Sequence, residues 1–421
     1  MKKFGKIACL ALGAVMSLGI ACACDETGDG GKNKGDKKVF VIWCPEADHE
    51  FAKQVAADFL KENKDVNLEF QFGIQGENDS ATKVLTDVEN APDVFSFASD
   101  QINKLIVGDA LARIGGDRLE KIKTENTAEA VDAATVTVGG QELTYAFPYT
   151  DNTYFLYYNK SKFSEEDIQT LDGILDKCSE EEQFGYPMND GWYNSAFFFG
   201  NDLGYEVEFS DQLAENKVTT DFGNEVGQQV AEAMWNYVQN PALKADSDDS
   251  KLTSGFQSGK IIAGVSGIWN KTSIQRYLGE DFGVAKLPTY TLGNKQVQLT
   301  AFAGYKLLGV SKHSPNVAIA QRFAEFYTNQ ANQIKHFEAR GFLPTNKEAQ
   351  KDSRIAADAC AIAIKDQLAY TKTQKGVPST LWTPMQGFGD AMITAAGKND
   401  AEFDVQAQLA AAVKAINKNA D

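Results

Sequence analysis

Residues 39–43 read Val-Phe-Val-Ile-Trp, an unbroken apolar run of the kind needed by a strand buried on both faces. Working outward, Phe51, Val55, Ala56 and Phe59-Leu60 recur at helical spacing. Val66, Leu68, Phe70 and Phe72 then alternate with polar residues as a second strand. Asp79-Ser80 precedes a short helix carrying Val84, Leu85 and Val88, and Pro92-Asp93 leads into a third strand, Val94-Phe95-Ser96-Phe97. A β-α-β-α-β opening predicts an α/β fold with a parallel sheet and right-handed crossovers. Ligands of such sheets sit at the carboxyl ends of the strands, here Cys44 to His49, Gly73 to Asp79 and Ala98 to Gln101.

Downstream, Tyr145 to Tyr158 flanks a polar centre at Thr150 to Asn152 with strongly β-prone residues. Amphipathic helices are expected over 226–238, 317–337 and 405–416. A chain of 421 residues exceeds one core, so two lobes are expected. A net charge of −17 repels phosphate backbones and anionic lipid, which argues against nucleic-acid binding.

Lys2, Lys3 and Lys6, the apolar stretch Ile7 to Ile20 and the small-residue run Ala21-Cys22-Ala23-Cys24 form an export signal. Its apolar part is shorter than the roughly 20 residues of a membrane-spanning helix. A Cys after small residues resembles a bacterial lipobox, which implies Cys24 or Cys22 as the lipidated first residue of the mature chain; plain secretion stays open as the alternative. Residues 25–38, Gly-rich and charged without an apolar residue, read as a flexible tether. Cys44, Cys178 and Cys360 remain, expected as free, buried thiols.

Nucleophile, phosphate and metal signatures do not close. Gly255 to Lys260 is one residue short of a P-loop and reads as a turn before the apolar run from Ile261. Asp246-Ser247-Asp248-Asp249-Ser250 lacks the Gly and Glu of a calcium loop and reads as a solvated acidic loop. Three His and no C-x-x-C leave no zinc site, so neither cofactor nor metal is expected. What is present suits a sugar: flat rings to cover pyranose C–H faces, beside amides and carboxylates to pair with hydroxyls. Three loop-like clusters qualify, Asn189 to Asn194 with Trp192 and Tyr193, Gly267 to Asn270 with Trp269, and Leu381 to Gly389 with Trp382.

Pro92 to Gln101, Phe147-Pro148 with Tyr158-Asn159-Lys160, Gly259-Lys260 to Trp269 and Leu287-Pro288-Thr289 together resemble extracellular solute-binding proteins of carbohydrate ABC importers. Their order is most similar to the maltose and maltodextrin binders. The resemblance implies the two-lobed, periplasmic-binding-protein-like fold of type II, with mainly parallel sheets flanked by helices and a ligand cleft at the hinge. One lobe is 39–150 plus 301–340 and the other 151–300 plus 341–421, with crossings near Thr150-Asp151, Thr300-Ala301 and Gly341 to Pro344. It further implies a monomer that takes an oligosaccharide, delivers it to permease subunits and is lipid-anchored on the outer face of the cytoplasmic membrane. Carried over by motif, Asp100, Tyr193 and Trp269 match ligand-binding positions. Gln101 stands where that family has Arg, Phe97 replaces a stacking Trp, and Asn152 with Asp151 holds a hinge position occupied by Glu. Glu46 and Asp48 are the nearest polar groups to an absent first-loop acid and lysine, and Trp382 compensates for a third stacking Trp whose place falls at Gly389. A secreted glycosidase and a surface glycan-adhesion protein stay open as alternatives; an amino-acid or peptide binder is disfavoured because no Arg is evident at the hinge.

Overall fold

A computed structural model describes residues 37–417 apart from 211, 212 and 214. The signal, Cys22, Cys24 and all of the tether before Lys37 lie outside the described residues.

The opening stretch folds as its pattern dictates. Strand Lys38–Cys44 pairs in parallel with Leu68–Ile74 and with Val94–Ala98. The helix His49–Glu62 buries Phe51, Ala52, Val55, Ala56 and Phe59 against them. Alternation along these strands feeds two cores. Phe40, Ile42 and Cys44 face one, with Leu308 and Val310, while Phe95, Phe97 and Leu307 face the other.

The sheet is completed from far down the chain. Ala301–Val310 inserts antiparallel between Val94–Ala98 and Ala146–Asn152, and its first residues pair in parallel with Thr371–Thr373. A second sheet runs in the order Leu243–Lys244, Gln183–Gly185, Ile261–Gly267, Tyr154–Asn159, Phe282–Ala285. Tyr154, Leu156 and Tyr158 enter one of its cores, Phe155 and Tyr157 the other. Both sheets are mixed, with three parallel and two antiparallel pairings in the first and two of each in the second, because the strands that pass between the sheets enter them in reverse.

Several segments cross between the sheets. Ala146–Asn152 and Tyr154–Asn159 are separated by Thr153 alone, whose Oγ1 donates to Phe302 O at 2.8 Å. Asp151 N–H donates to Leu343 O at 3.0 Å, and Ala301 N–H to Tyr370 O at 3.0 Å. The pass through Tyr370 is not evident in the sequence.

Three local expectations need correcting. The pattern over 317–337 is two helices, Val317–Tyr327 and Gln330–Arg340, because the Asn329 side chain caps a new start by accepting from Asn332 N–H. Leu381 to Gly389 is helical, inside Ser379–Gly397 and across Pro384. Gly389 serves close packing rather than a turn, since a Cβ there meets Met188 O at 1.9 Å. Cys44 and Cys360 are buried and free, whereas Cys178 is free and only half-buried. The P-loop-like stretch is the end of helix Asp249–Ser258, with Gly259 in the left-handed region at φ 74°.

Candidate functional site

Between the two sheets lies a cavity of about 570 Å³. Its first wall comes from the carboxyl ends of the opening strands: Pro45, then Gly76 to Asp79, then Asp100. The facing wall is aromatic, with Trp192, Tyr193, Trp269 and Trp382, and Asn152 stands at the crossing. Asn152 Oδ1 is buried and lacks a hydrogen-bond partner.

Each ring is fixed by its own support. Asp190 caps the short helix Gly191–Asn194 by accepting from Trp192 N–H at 2.8 Å, which aims the Trp192 side chain into the cavity. The Trp192 ring packs edge-on against Tyr154 and Tyr193. Its Nε1 donates to Gln374 Oε1 at 3.0 Å, and Gln374 Nε2 donates in turn to Asp100 Oδ1 at 3.1 Å. Gln374 thus ties the aromatic wall to the carboxylate wall. Trp269 lies 6.0 Å from Trp192, centroid to centroid, and its Nε1 donates to Asp249 Oδ2 at 2.8 Å. Asp249 Oδ1 accepts from Ser266 Oγ at 2.9 Å and Asn270 Nδ2 at 2.6 Å. Trp382 stands edge-on to Phe302. The three indoles are half-buried, whereas Tyr193 is 7% exposed and belongs mostly to the core.

The polar wall is charged in a graded way. Burial pushes the Asp100 carboxyl up from 3.8 to about 6 and raises Asp190 as well, chiefly by the same desolvation. Glu77 is paired with Lys306 at 3.0 Å. Lys306 and Arg340 both lie over the Phe342 ring.

Asp100, Asn152, Trp192, Tyr193, Trp269 and Trp382 are therefore brought together, and five other sequence candidates are not. Glu46 is exposed and outside the cavity. Asp48 is buried beside His336 and Arg340, both at 3.4 Å; burial alone raises its pKa, but hydrogen bonding to His336 and the charges of His336, Arg340 and Lys306 hold it below the ordinary value. It is a structural ion-pair centre. Phe97 is fully buried in the core. Gln101 is consumed internally, with Oε1 accepting from Ala81 N–H and Nε2 donating to Glu77 O and Asn78 O. Asp151 faces a different cavity behind the crossing.

Sequence reasoning missed Lys306, Arg340, Phe342, Gln374 and Asp249. The run containing Asp249 is not simply a solvated loop: Asp246 pairs with Lys244 and Lys251, Asp248 caps the helix, and only Asp249 turns to Trp269. An arginine does stand in the cleft, Arg340, already engaged by Asp48. Among the described residues no group of His, Cys, Asp and Glu is placed to hold a metal ion.

Two α/β lobes, joined by several chain crossings and enclosing a ring-lined polar cleft, define a two-lobed ligand receptor. The chain belongs to the bacterial extracellular solute-binding proteins, whose family model matches residues 54–362. A structure solved with acarbose is 30% identical, with a TM-score of 0.81 over 91% of this chain and 99% of that one. Maltodextrin binding protein MalE1 from L. casei BL23, solved without ligand, is 25% identical, with a TM-score of 0.76 over 91% of this chain and 100% of that one. The maltodextrin-binding protein MdxE of Bacillus subtilis is 24% identical over 384 residues, 87% of this chain and 88% of its own length.

Proposed function

We infer that this chain is the substrate-binding component of an ABC sugar importer, capturing a neutral oligosaccharide of the maltodextrin type. The observation that carries the reading is the Trp192–Trp269 pair, each indole fixed through Nε1 to a polar partner, facing Asp100 across the cleft. Rings at this spacing cover successive sugar faces, and Asp100, Asn152 and Asp190 select the hydroxyl pattern. A polar group left unpaired by the wrong sugar costs about 1–3 kcal/mol, which gives discrimination.

The lobes, 39–150 with 301–340 and 151–300 with 341–421 apart from strand Thr371–Thr373, which joins the first sheet, close over the ligand by bending at the crossings. Sugar favours the closed form because only there do both walls contact it. No bond is broken. The monomer sits outside the cytoplasm, held to the membrane by lipid on Cys24 or Cys22, and hands its sugar to the permease subunits; no nucleic acid is involved.

Calorimetric titration with maltotriose, maltotetraose, cellotriose and xylotriose tests this, with Trp269→Ala in parallel. Micromolar binding of the maltooligosaccharides without turnover, weakened at least tenfold in the variant, is expected. Absence of heat from every glycan overturns the sugar class, and sustained heat from hydrolysis overturns the non-enzymatic reading.

A further inference from the structure

Strand Ala146–Asn152 turns successive side chains to opposite sides. Asn152 faces the sugar cleft, and Asp151, one residue earlier, faces a second cavity of about 620 Å³ behind the crossing. Asp151 is 4% exposed and its Oδ1 has no hydrogen-bond partner. A buried acid left unpaired against an open volume is costly unless something occupies that volume.

The walls indicate what fits. Glu129 and Asp132 join Asp151, with Lys365 the single base lining the cavity; Lys375 is engaged with Asp132 at 2.9 Å. Once Asp151 ionises, the three acids exceed these two lysines by one charge. The remaining wall is more apolar than polar, setting Tyr305, Leu343 and Leu368 beside three Thr and Gln350, and the volume far exceeds that of a bare ion. The complement is a monovalent cation on an apolar body.

We propose that the pocket behind the hinge is a second ligand site, for a small organic ammonium ion that pairs with Asp151. Burial, and secondarily Glu129, hold the Asp151 carboxyl protonated well above its ordinary range, with Lys365 opposing; Tyr305 and Asp132 are the other titratable groups in the wall. Binding of the cation therefore moves the carboxyl proton to solvent and leaves a carboxylate–ammonium pair, so affinity rises with pH.

The test is a calorimetric titration of the full chain at pH 7 with benzylammonium, in two buffers of different ionisation enthalpy, with benzyl alcohol as the uncharged probe. Saturable binding with net proton release is expected, with benzyl alcohol at least tenfold weaker. Asp151→Asn, which keeps the shape of the neutral carboxyl, is expected to abolish proton release and weaken binding at least tenfold. Asp100→Asn, in the sugar cleft, is expected to leave amine binding unchanged. No saturable binding, or binding without proton release, overturns the proposal, as does loss in Asp100→Asn with retention in Asp151→Asn, which places the amine in the cleft. Should Asp151→Asn fail to fold, the wild-type proton count and a cavity-filling Leu368→Trp variant decide in the same way. Maltotriose binding is read in separate titrations, so failure of the rear site and failure of the sugar reading remain distinct.

Discussion

Replacing Asp100 by Asn is expected to make the protein more stable and a poorer receptor. The Asp100 carboxyl rises from 3.8 to about 6, mainly by burial, opposed by a backbone hydrogen bond, the Lys104 charge and the Gln374 amide. A raised acid pKa means that the folded chain holds the proton more tightly than the unfolded one. Asp100 therefore contributes stability that is complete below about pH 4 and lost as pH rises through about 6. At pH 7 a shift of about two units, at about 1.4 kcal/mol each, leaves the ionised side chain about 3 kcal/mol worse off in the fold. Asn carries no such charge, and its Oδ1 still accepts from Gln374. Urea unfolding is thus expected to find the variant more stable by up to about 3 kcal/mol at pH 7, by about half that at pH 5, and by almost nothing below pH 4. Oligosaccharide affinity moves the other way, about tenfold or more weaker, because a hydroxyl donating to a carboxylate is stronger than one donating to an amide. For the same reason wild-type affinity falls on acidification from pH 7 to pH 5. A variant less stable than wild type at pH 7, or a stability gap constant with pH, refutes the reasoning.

Gly267→Ala places a Cβ at 2.0 Å from the Trp269 ring, so the indole must leave its position and its bond to Asp249; a tenfold or greater loss of oligosaccharide affinity, with quenching or shift of tryptophan fluorescence, is expected from titration. Gln101→Ala removes the partner of Ala81 N–H and of two carbonyls at the start of helix Glu77–Val84; a destabilisation of about 2–3 kcal/mol in urea unfolding is expected.

Elements were legible in the sequence where pattern alone decides them. The apolar run at Val39 and the alternation from Val66 sufficed for the opening of the first sheet, because burial on both faces or one face writes itself into composition. Trp192 and Trp269 were legible because large rings beside turns have few structural uses. Asp151 and Asn152 were not separable, since the sequence shows that a strand alternates but not which phase faces the cleft. Gln374 and Lys306 were invisible for a related reason: their roles depend on pairings across Ala301–Val310 that no local signal specifies. Trp382 was placed in a loop because Pro384 and Gly389 look like breakers, whereas tertiary packing of the helix overrides both.

The position of strand Ala301–Val310 also governs the order in which the molecule can be made. It occupies the gap between Val94–Ala98 and Ala146–Asn152, yet it is translated only after the whole run of strands through Phe282–Ala285. Until it emerges from the ribosome, two edges of the first sheet stay open and the cores on either side of it lack Leu307, Leu308 and Val310. Such non-local closure makes folding slow. A nascent chain that cannot finish its first sheet early therefore stays incompletely folded for most of its synthesis.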